Sequence, residues 1–263
     1  MNVLFVGDIV GKPGLEAALS LVPQLRAELS ADLVIANAEN VAGGWGITRD
    51  IVRMLLVRGE IDVITTGNHA FGKPESLDVY DEEPRLLRPA NYPPGTPGRG
   101  GGLYKTRGGV LVGVLNLMGR ALMEPSLDDP FRMADEIIGC ARAQTPVLFI
   151  DFHAETTSEK IAFGWHCDGR VSAIVGTHTH VPTADERVLP GGTAYVTDVG
   201  MCGPDASVIG MEIESVLARF RTQMPRRLKV AEGPATLCAV FIDVDEETGH
   251  ARRIERLTRA HDG

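Results

Sequence analysis

The chain has 263 residues, 44% hydrophobic and 23% charged, with 30 Gly and 16 Pro, an ordinary globular composition rich in turns. Its 35 acidic residues outnumber 26 basic ones for a net charge of −9, which argues against stable nucleic-acid binding, since that rests on basic surface. Cys140, Cys167, Cys202 and Cys238 lie far apart without Cys-x-x-Cys spacing, and no apolar stretch is long enough to span a bilayer, so a cytoplasmic protein is expected.

The opening MNVLFVGDIVGKPG has no basic leader, and its apolar run meets Asp8 almost at once. Residues 2–7 therefore read as a first strand and not as a signal peptide. Over 13–29, Leu15, Ala18, Leu19, Val22, Leu25 and Leu29 recur at helical spacing, with Pro13 suited to a first turn. Strands follow at 32–38 and 61–66, around a helix near 48–58 that Thr48 would cap. Residues 88–102 read as a Pro/Gly-rich loop. A strand at 110–118 leads to a helix near 129–143, then a strand at 147–151, a helix near 157–165 and a strand at 171–176. Residues 187–200 read as a hairpin turning at Pro190-Gly191-Gly192, followed by a helix near 211–222. An antiparallel pair, 236–245 and 251–258, closes the chain around Glu247-Thr248-Gly249. Alternating strands and helices with no internal repeat predict one α/β domain over 1–263, with a mixed sheet or two packed sheets.

Polar residues recur where these apolar runs end. Asp8 follows the first strand, Glu39 and Asn40 the second, Asn68 and His69 the third. His153 follows VLFIDF, and His178 and His180 follow AIVGT. Ligands of open α/β sheets bind outside the carboxyl ends of the strands, so groups from five strand ends are expected in one crevice. In extended backbone, residues i and i+2 point to one side, so His178 and His180 are expected to face one location. One Asp, Asn or His at a strand end is ordinarily a turn residue; the joint pattern carries the argument. Imidazoles, carboxylates and amide oxygens without thiolates suit iron, manganese or zinc, and the set is too large for one tetrahedral ion.

The stretches GDIVGKPG, NAEN, TTGNH, DFHAETTSEK, GTHTHVPTADE and SVIGM resemble the bacterial YmdB-type branch of the calcineurin-like metallophosphoesterases, over residues 2 to about 258. The resemblance implies a four-layer α/β/β/α sandwich, two mixed sheets flanked by helices, with a dinuclear metal site hydrolysing phosphoesters, 2′,3′-cyclic nucleotides above all. It implies one divalent ion on Asp8, Glu39, Asn40 and His180, and the other on Glu39, Asn68, His153 and His178. Iron or manganese is expected, and zinc also fits. It leaves His69 to face the substrate as general acid. Homo-oligomers are compatible with it.

The chain departs from the wider superfamily in having Asp8-Ile9-Val10 where Asp-x-His is usual, Glu39 for the bridging Asp, and Ala70 for an acid after Gly67-Asn68-His69. The first two departures match the YmdB-type branch. Two ions roughly 3.5–4 Å apart would lower the pKa of a bridging water and neutralise phosphoryl charge, so that hydroxide attacks in line. Asp151 and Asp198 are candidates to orient ligating histidines. Gly43, Gly44 and Gly46 suggest a lip carrying Trp45, whereas His166, His250 and His261 fall outside the pattern. GDIVGKPG fails as a phosphate-binding loop: three residues separate its glycines, and Pro13 stands where a hydroxyl is needed. The histidine pair comes too late for an amidohydrolase barrel. The remaining alternative is a metal-loaded regulatory or interaction protein with little turnover.

Overall fold

The computed structural model describes residues 1–262. In chain order its elements are β1 Asn2–Val6, β2 Asp8–Ile9, α1 Gly11–Glu28, β3 Leu33–Asn37, α2 Arg49–Val57, β4 Val63–Thr65 and α3 Val79–Glu82. Then come β5 Gly101–Lys105, β6 Leu111–Met118, α4 Pro130–Arg142, β7 Leu148–His153, α5 Thr157–Cys167 and β8 Ala173–Thr177. The chain finishes with β9 Arg187–Val188, β10 Ala194–Val196, β11 Met201–Pro204, α6 Ile213–Thr222, β12 Ala235–Val244 and β13 Ala251–His261.

The strands form two sheets. One runs β2-β11-β12-β1-β3-β4 with β13 also on β12, and the other runs β5-β6-β7-β8-β10-β9. Alternation along each strand decides what each face buries. Leu4, Val6, Val34, Ala36 and Ile64 turn to Ala18, Val22, Val52 and Leu55 of α1 and α2. Val3, Phe5, Ile35, Val63 and Val240 turn the other way, onto Val114, Phe149, Val175 and Val196 of the second sheet. The back of that sheet, through Leu117, Ile150, Phe152 and Tyr195, packs on Ala134, Ile138 and Phe163 of α4 and α5. The result is the expected α/β/β/α sandwich. Strands β1, β3 and β4 are mutually parallel, and so are β6, β7, β8 and β10.

The structure adds strands that the apolar pattern did not reveal. β5 lies at the end of the Pro/Gly-rich stretch and pairs with β6. β11 follows the hairpin and contains Gly203 and Pro204, yet it pairs with both β2 and β12. Its closeness to α1 depends on Gly14, where a Cβ would lie 2.1 Å from the Cys202 carbonyl oxygen. Thr48 stands at the N-cap of α2, but its side chain makes no capping hydrogen bond. Among the described residues, no helix is long and apolar enough to cross a membrane.

Candidate metal centre and active site

Because the central strands are parallel, their carboxyl ends open on one edge of the sandwich, where the predicted residues meet. Asp8, Glu39 and His153 are fully buried, and Asn40 and His180 nearly so. One half of the cluster surrounds His153 Nε2, which lies 3.0 Å from Asn68 Oδ1, 3.0 Å from His178 Nδ1 and 3.1 Å from Glu39 Oε1. Glu39, His153 and His178 can converge on a single cation. The other half gathers Asp8, Asn40 and His180, with His180 Nε2 at 3.1 Å from Asn40 Nδ2 and 3.8 Å from Asp8 Oδ1. Glu39 touches both, since its Oε1 also lies 3.3 Å from Asn40 Nδ2.

His178 and His180 do not share one target. The strand stops at Thr177, and both histidines adopt left-handed backbone, with φ of 98° and 65°. Such backbone costs a non-glycine residue of order 1–3 kcal/mol and persists where surroundings enforce it. Here Asp8 Oδ2 accepts from the His178 amide at 3.2 Å, and Asp198 Oδ2 accepts from the Thr179 amide at 3.1 Å and its hydroxyl at 2.7 Å. The turn sends His178 to His153 and His180 to Asn40.

Buried carboxylates brace the site from below. Asp151 Oδ1 accepts from Thr177 Oγ1 at 2.6 Å, and that hydroxyl meets His153 Nδ1 at 2.9 Å. The chain of contacts places the proton of neutral His153 on Nδ1 and leaves the Nε2 lone pair for a ligand. Asn37 donates to Asp151 Oδ2 at 3.0 Å. Burial pushes Asp151 up to about 6, with His153 and the Thr177, Thr65 and Asn37 hydrogen bonds working the other way. Asp198 accepts from the fully buried Lys160 at 2.7 Å. Replacing Lys160 by Met leaves that carboxylate unpaired, so Lys160→Met is expected to cost roughly 3–5 kcal/mol of stability, measured by urea unfolding.

Gly67 admits the His153 ring. A Cβ there would lie 2.1 Å from the imidazole Cδ2. Gly67→Ala is therefore expected to displace His153, to cost about 1–3 kcal/mol in thermal unfolding and to lower the metal content of purified protein.

The field of the cluster is that of a cation site. Burial opposes a charge on His153, but Glu39, Asp8 and Asp151 together raise it to about 9. Burial likewise opposes ionisation of Glu39, yet His153 and His69 hold its carboxyl well below the usual range. Burial pushes the Asp8 carboxyl up, against the pull of His180 and His153. Burial, with the charge on His153, drives His178 down to about 3, keeping it neutral as a ligand must be. Asp8 Oδ1 is buried without any hydrogen-bond partner. Around His153 Nε2, one proton at most faces three acceptor atoms. An orphaned carboxylate oxygen and a surplus of lone pairs are what a divalent cation would satisfy.

His69 stands at the edge of the cluster. Its Nδ1 lies 2.6 Å from Asn40 Oδ1, and its amide donates to Glu39 Oε2 at 2.9 Å. Trp45 packs on the ring at 3.8 Å between centroids, 31° from parallel. The glycine-flanked Trp45 thus belongs to the site. The sequence reading missed Asn37, Thr177, Lys160 and Glu155, whose Oε2 lies 3.0 Å from His178 Nε2. All four lie inside the quoted stretches NAEN, DFHAETTSEK and GTHTH, but none stands at a position that strand-end reasoning picks out as a ligand.

The two-sheet sandwich is of the metallophosphoesterase type. A family model described as YmdB-like protein matches residues 4–257, and the chain belongs to that family. It is 51% identical over 257 residues to a 2′,3′-cyclic-nucleotide 2′-phosphodiesterase of Bacillus subtilis, covering 98% of this chain and 96% of the relative. A crystal structure of a Thermus thermophilus protein superposes with a TM-score of 0.91 at 42% identity, covering 99% of each chain. That of a phosphatase from Mycoplasma pneumoniae gives 0.93 at 36% identity, covering 100% of this chain and 94% of the other.

Proposed function

We propose that the protein is a dinuclear metal-dependent phosphodiesterase that opens 2′,3′-cyclic nucleotides at the 2′ ester. The kinship with the Bacillus enzyme supports the substrate class. The observation that carries the metal reading is the buried, unpartnered Asp8 Oδ1 beside a cluster whose two halves share Glu39. In this reading Asp8, Glu39, Asn40 and His180 hold one ion, and Glu39, Asn68, His153 and His178 hold the other. The oxygen- and imidazole-rich donor set favours iron or manganese, with zinc also accommodated. When bound, the ions supply Lewis acidity, countering the charge that grows on phosphoryl oxygens and acidifying water.

The remaining work falls to side chains. Water's oxygen bonds to phosphorus, the P–O2′ bond breaks, and O2′ must leave with a proton. His69 supplies it from Nε2. Its Nδ1–H is held by Asn40 Oδ1, whose two lone pairs let it serve His69 and a cation together. Trp45 fixes the ring plane. Thr177 and Asp151 keep His153 in one tautomer, and Asp198 holds the turn that separates His178 from His180.

Metal analysis paired with hydrolysis of 2′,3′-cyclic nucleotides, an unhindered aryl diester and an aryl monoester tests the proposal. Two ions per chain and turnover of the cyclic diester are expected. Protein that holds two metals and is inert on every substrate would instead be a regulator.

A further inference from the structure

A cyclic mononucleotide carries one phosphate, which the strand-end cluster would engage. The cleft in front of that cluster is larger than this demands. It encloses about 660 Å³, and its lining includes Arg219, Arg226, Arg227 and Lys73. Arg219 lies on α6, and Arg226 and Arg227 on the loop that follows it. Most arginines elsewhere are neutralised: Arg132, Arg170, Arg252 and Arg256 each pair with a carboxylate. Among the described residues, none of the four cleft cations has an ion-pair partner. Two carboxylates line the same cleft, Glu155 at 3.0 Å from His178 Nε2 and Glu39 within the cluster, and neither forms an ion pair with these four cations.

The local sequence repeats the point. From Ser215 to Ala231 the chain has Arg219, Arg221, Arg226, Arg227 and Lys229 and no acid, in a protein of net charge −9. Unpaired cations clustered at one cleft of an acidic protein attract a polyanion to it. Trp45 lines the same cleft beside His69, half its surface exposed, and offers an aromatic face to a base.

We propose that the preferred substrate is the 3′ end of a single-stranded oligoribonucleotide that terminates in a 2′,3′-cyclic phosphate. The cyclic phosphate lies at the strand-end cluster, and the preceding phosphates lie along Arg219, Arg226, Arg227 and Lys73. The inference rests on the phosphodiesterase reading of that cluster. Water adds to the terminal phosphorus, the P–O2′ bond breaks and O2′ takes a proton. The product is the same oligonucleotide with a free 2′-hydroxyl and a 3′-phosphate, its internal linkages intact. The reaction that supplies such ends is RNA scission by transesterification, in which a 2′-hydroxyl displaces the 5′-oxygen of the next nucleotide. Those ends arise on oligonucleotides before any cyclic mononucleotide is released.

The test compares kcat/KM for a tetraribonucleotide ending in a 2′,3′-cyclic phosphate with that for the cyclic mononucleotide of the same terminal base. Wild-type holoenzyme and the double variant Arg226→Ser/Arg227→Ser are measured across a salt series. Wild type is expected to favour the tetranucleotide about tenfold or more at low salt. For three phosphate contacts the logarithm of its binding constant should fall with log salt at a slope of about −2. Binding is read separately, by polarisation of a labelled tetranucleotide bearing a 3′-phosphate. The variant is expected to lose most of the preference and the salt slope while turning over the mononucleotide within about twofold of wild type. Equal kcat/KM for the two substrates, a preference that survives in the variant, or a variant that loses both activities alike overturns the inference and leaves the phosphodiesterase reading standing. Failure to hydrolyse either substrate overturns both.

Discussion

Glu39→Gln is expected to empty both halves of the metal centre together and to lower turnover by roughly 10³-fold, the loss of about 4 kcal/mol of barrier lowering. Glu39 is fully buried, and one of its oxygens lies 3.1 Å from His153 Nε2 and 3.3 Å from Asn40 Nδ2. It is therefore the group placed to touch ions on either side. Gln preserves the shape and the hydrogen bond from the His69 amide while removing the charge. Any loss then reports on electrostatics and not on collapse of the fold. Metal content per chain by elemental analysis, alongside kcat, reads the result. A variant that keeps one ion at full occupancy would show that the carboxylate is not shared. The comparison variant is Asn68→Ala, which touches only the His153 half and should weaken one ion selectively.

The site was legible because of how parallel sheets work. Each of β1, β3, β4, β7 and β8 is an apolar run with a polar residue at or just past its end, and strands that run the same way must deliver those ends to one edge. Asp8, Glu39, Asn40, Asn68, His69, His153, His178 and His180 could thus be gathered from strand boundaries alone. The i, i+2 rule failed at the histidine pair because it presumes extended backbone, and the chain leaves the strand at Thr177. What enforces the turn is Asp198, which lies on the far side of a hairpin, with its counter-ion Lys160 on a helix. Partners so distant in sequence leave no local pattern. β11 was invisible for a related reason: Met201–Pro204 has neither alternation nor β-branched residues, and pairing on both edges makes it a strand. The basic wall of the cleft shows a different limit. Net charge is a sum over the whole surface, so −9 hid a local run of opposite sign. A net charge of −9 opposes stable nucleic-acid binding over the surface as a whole and not a short single strand held in one basic cleft.

His69→Ala is expected to reduce turnover of 2′,3′-cyclic nucleotides by about 10²–10⁴-fold while leaving metal content unchanged. The reason lies in the leaving group. A ribose alkoxide is a strong base and departs slowly unless protonated as the P–O bond lengthens. A nitrophenolate is stable as an anion and needs no such help. Hydrolysis of an activated aryl diester should therefore fall far less, by about tenfold or below, and the ratio of the two losses isolates proton donation from binding. The geometry favours this division. His69 touches the cluster through its amide and Nδ1, at Glu39 Oε2 and Asn40 Oδ1, while Nε2 has no protein hydrogen-bond partner among the described residues. Removing the ring leaves the amide contact to Glu39 in place, so the ligands should keep their positions. His69→Gln sharpens the test, since it retains a polar side chain against Asn40 but cannot deliver a proton. Equal losses on alkyl and aryl esters, or a fall in metal content that tracks the fall in rate, would make His69 a support for Asn40 and move the search for the acid elsewhere in the cleft.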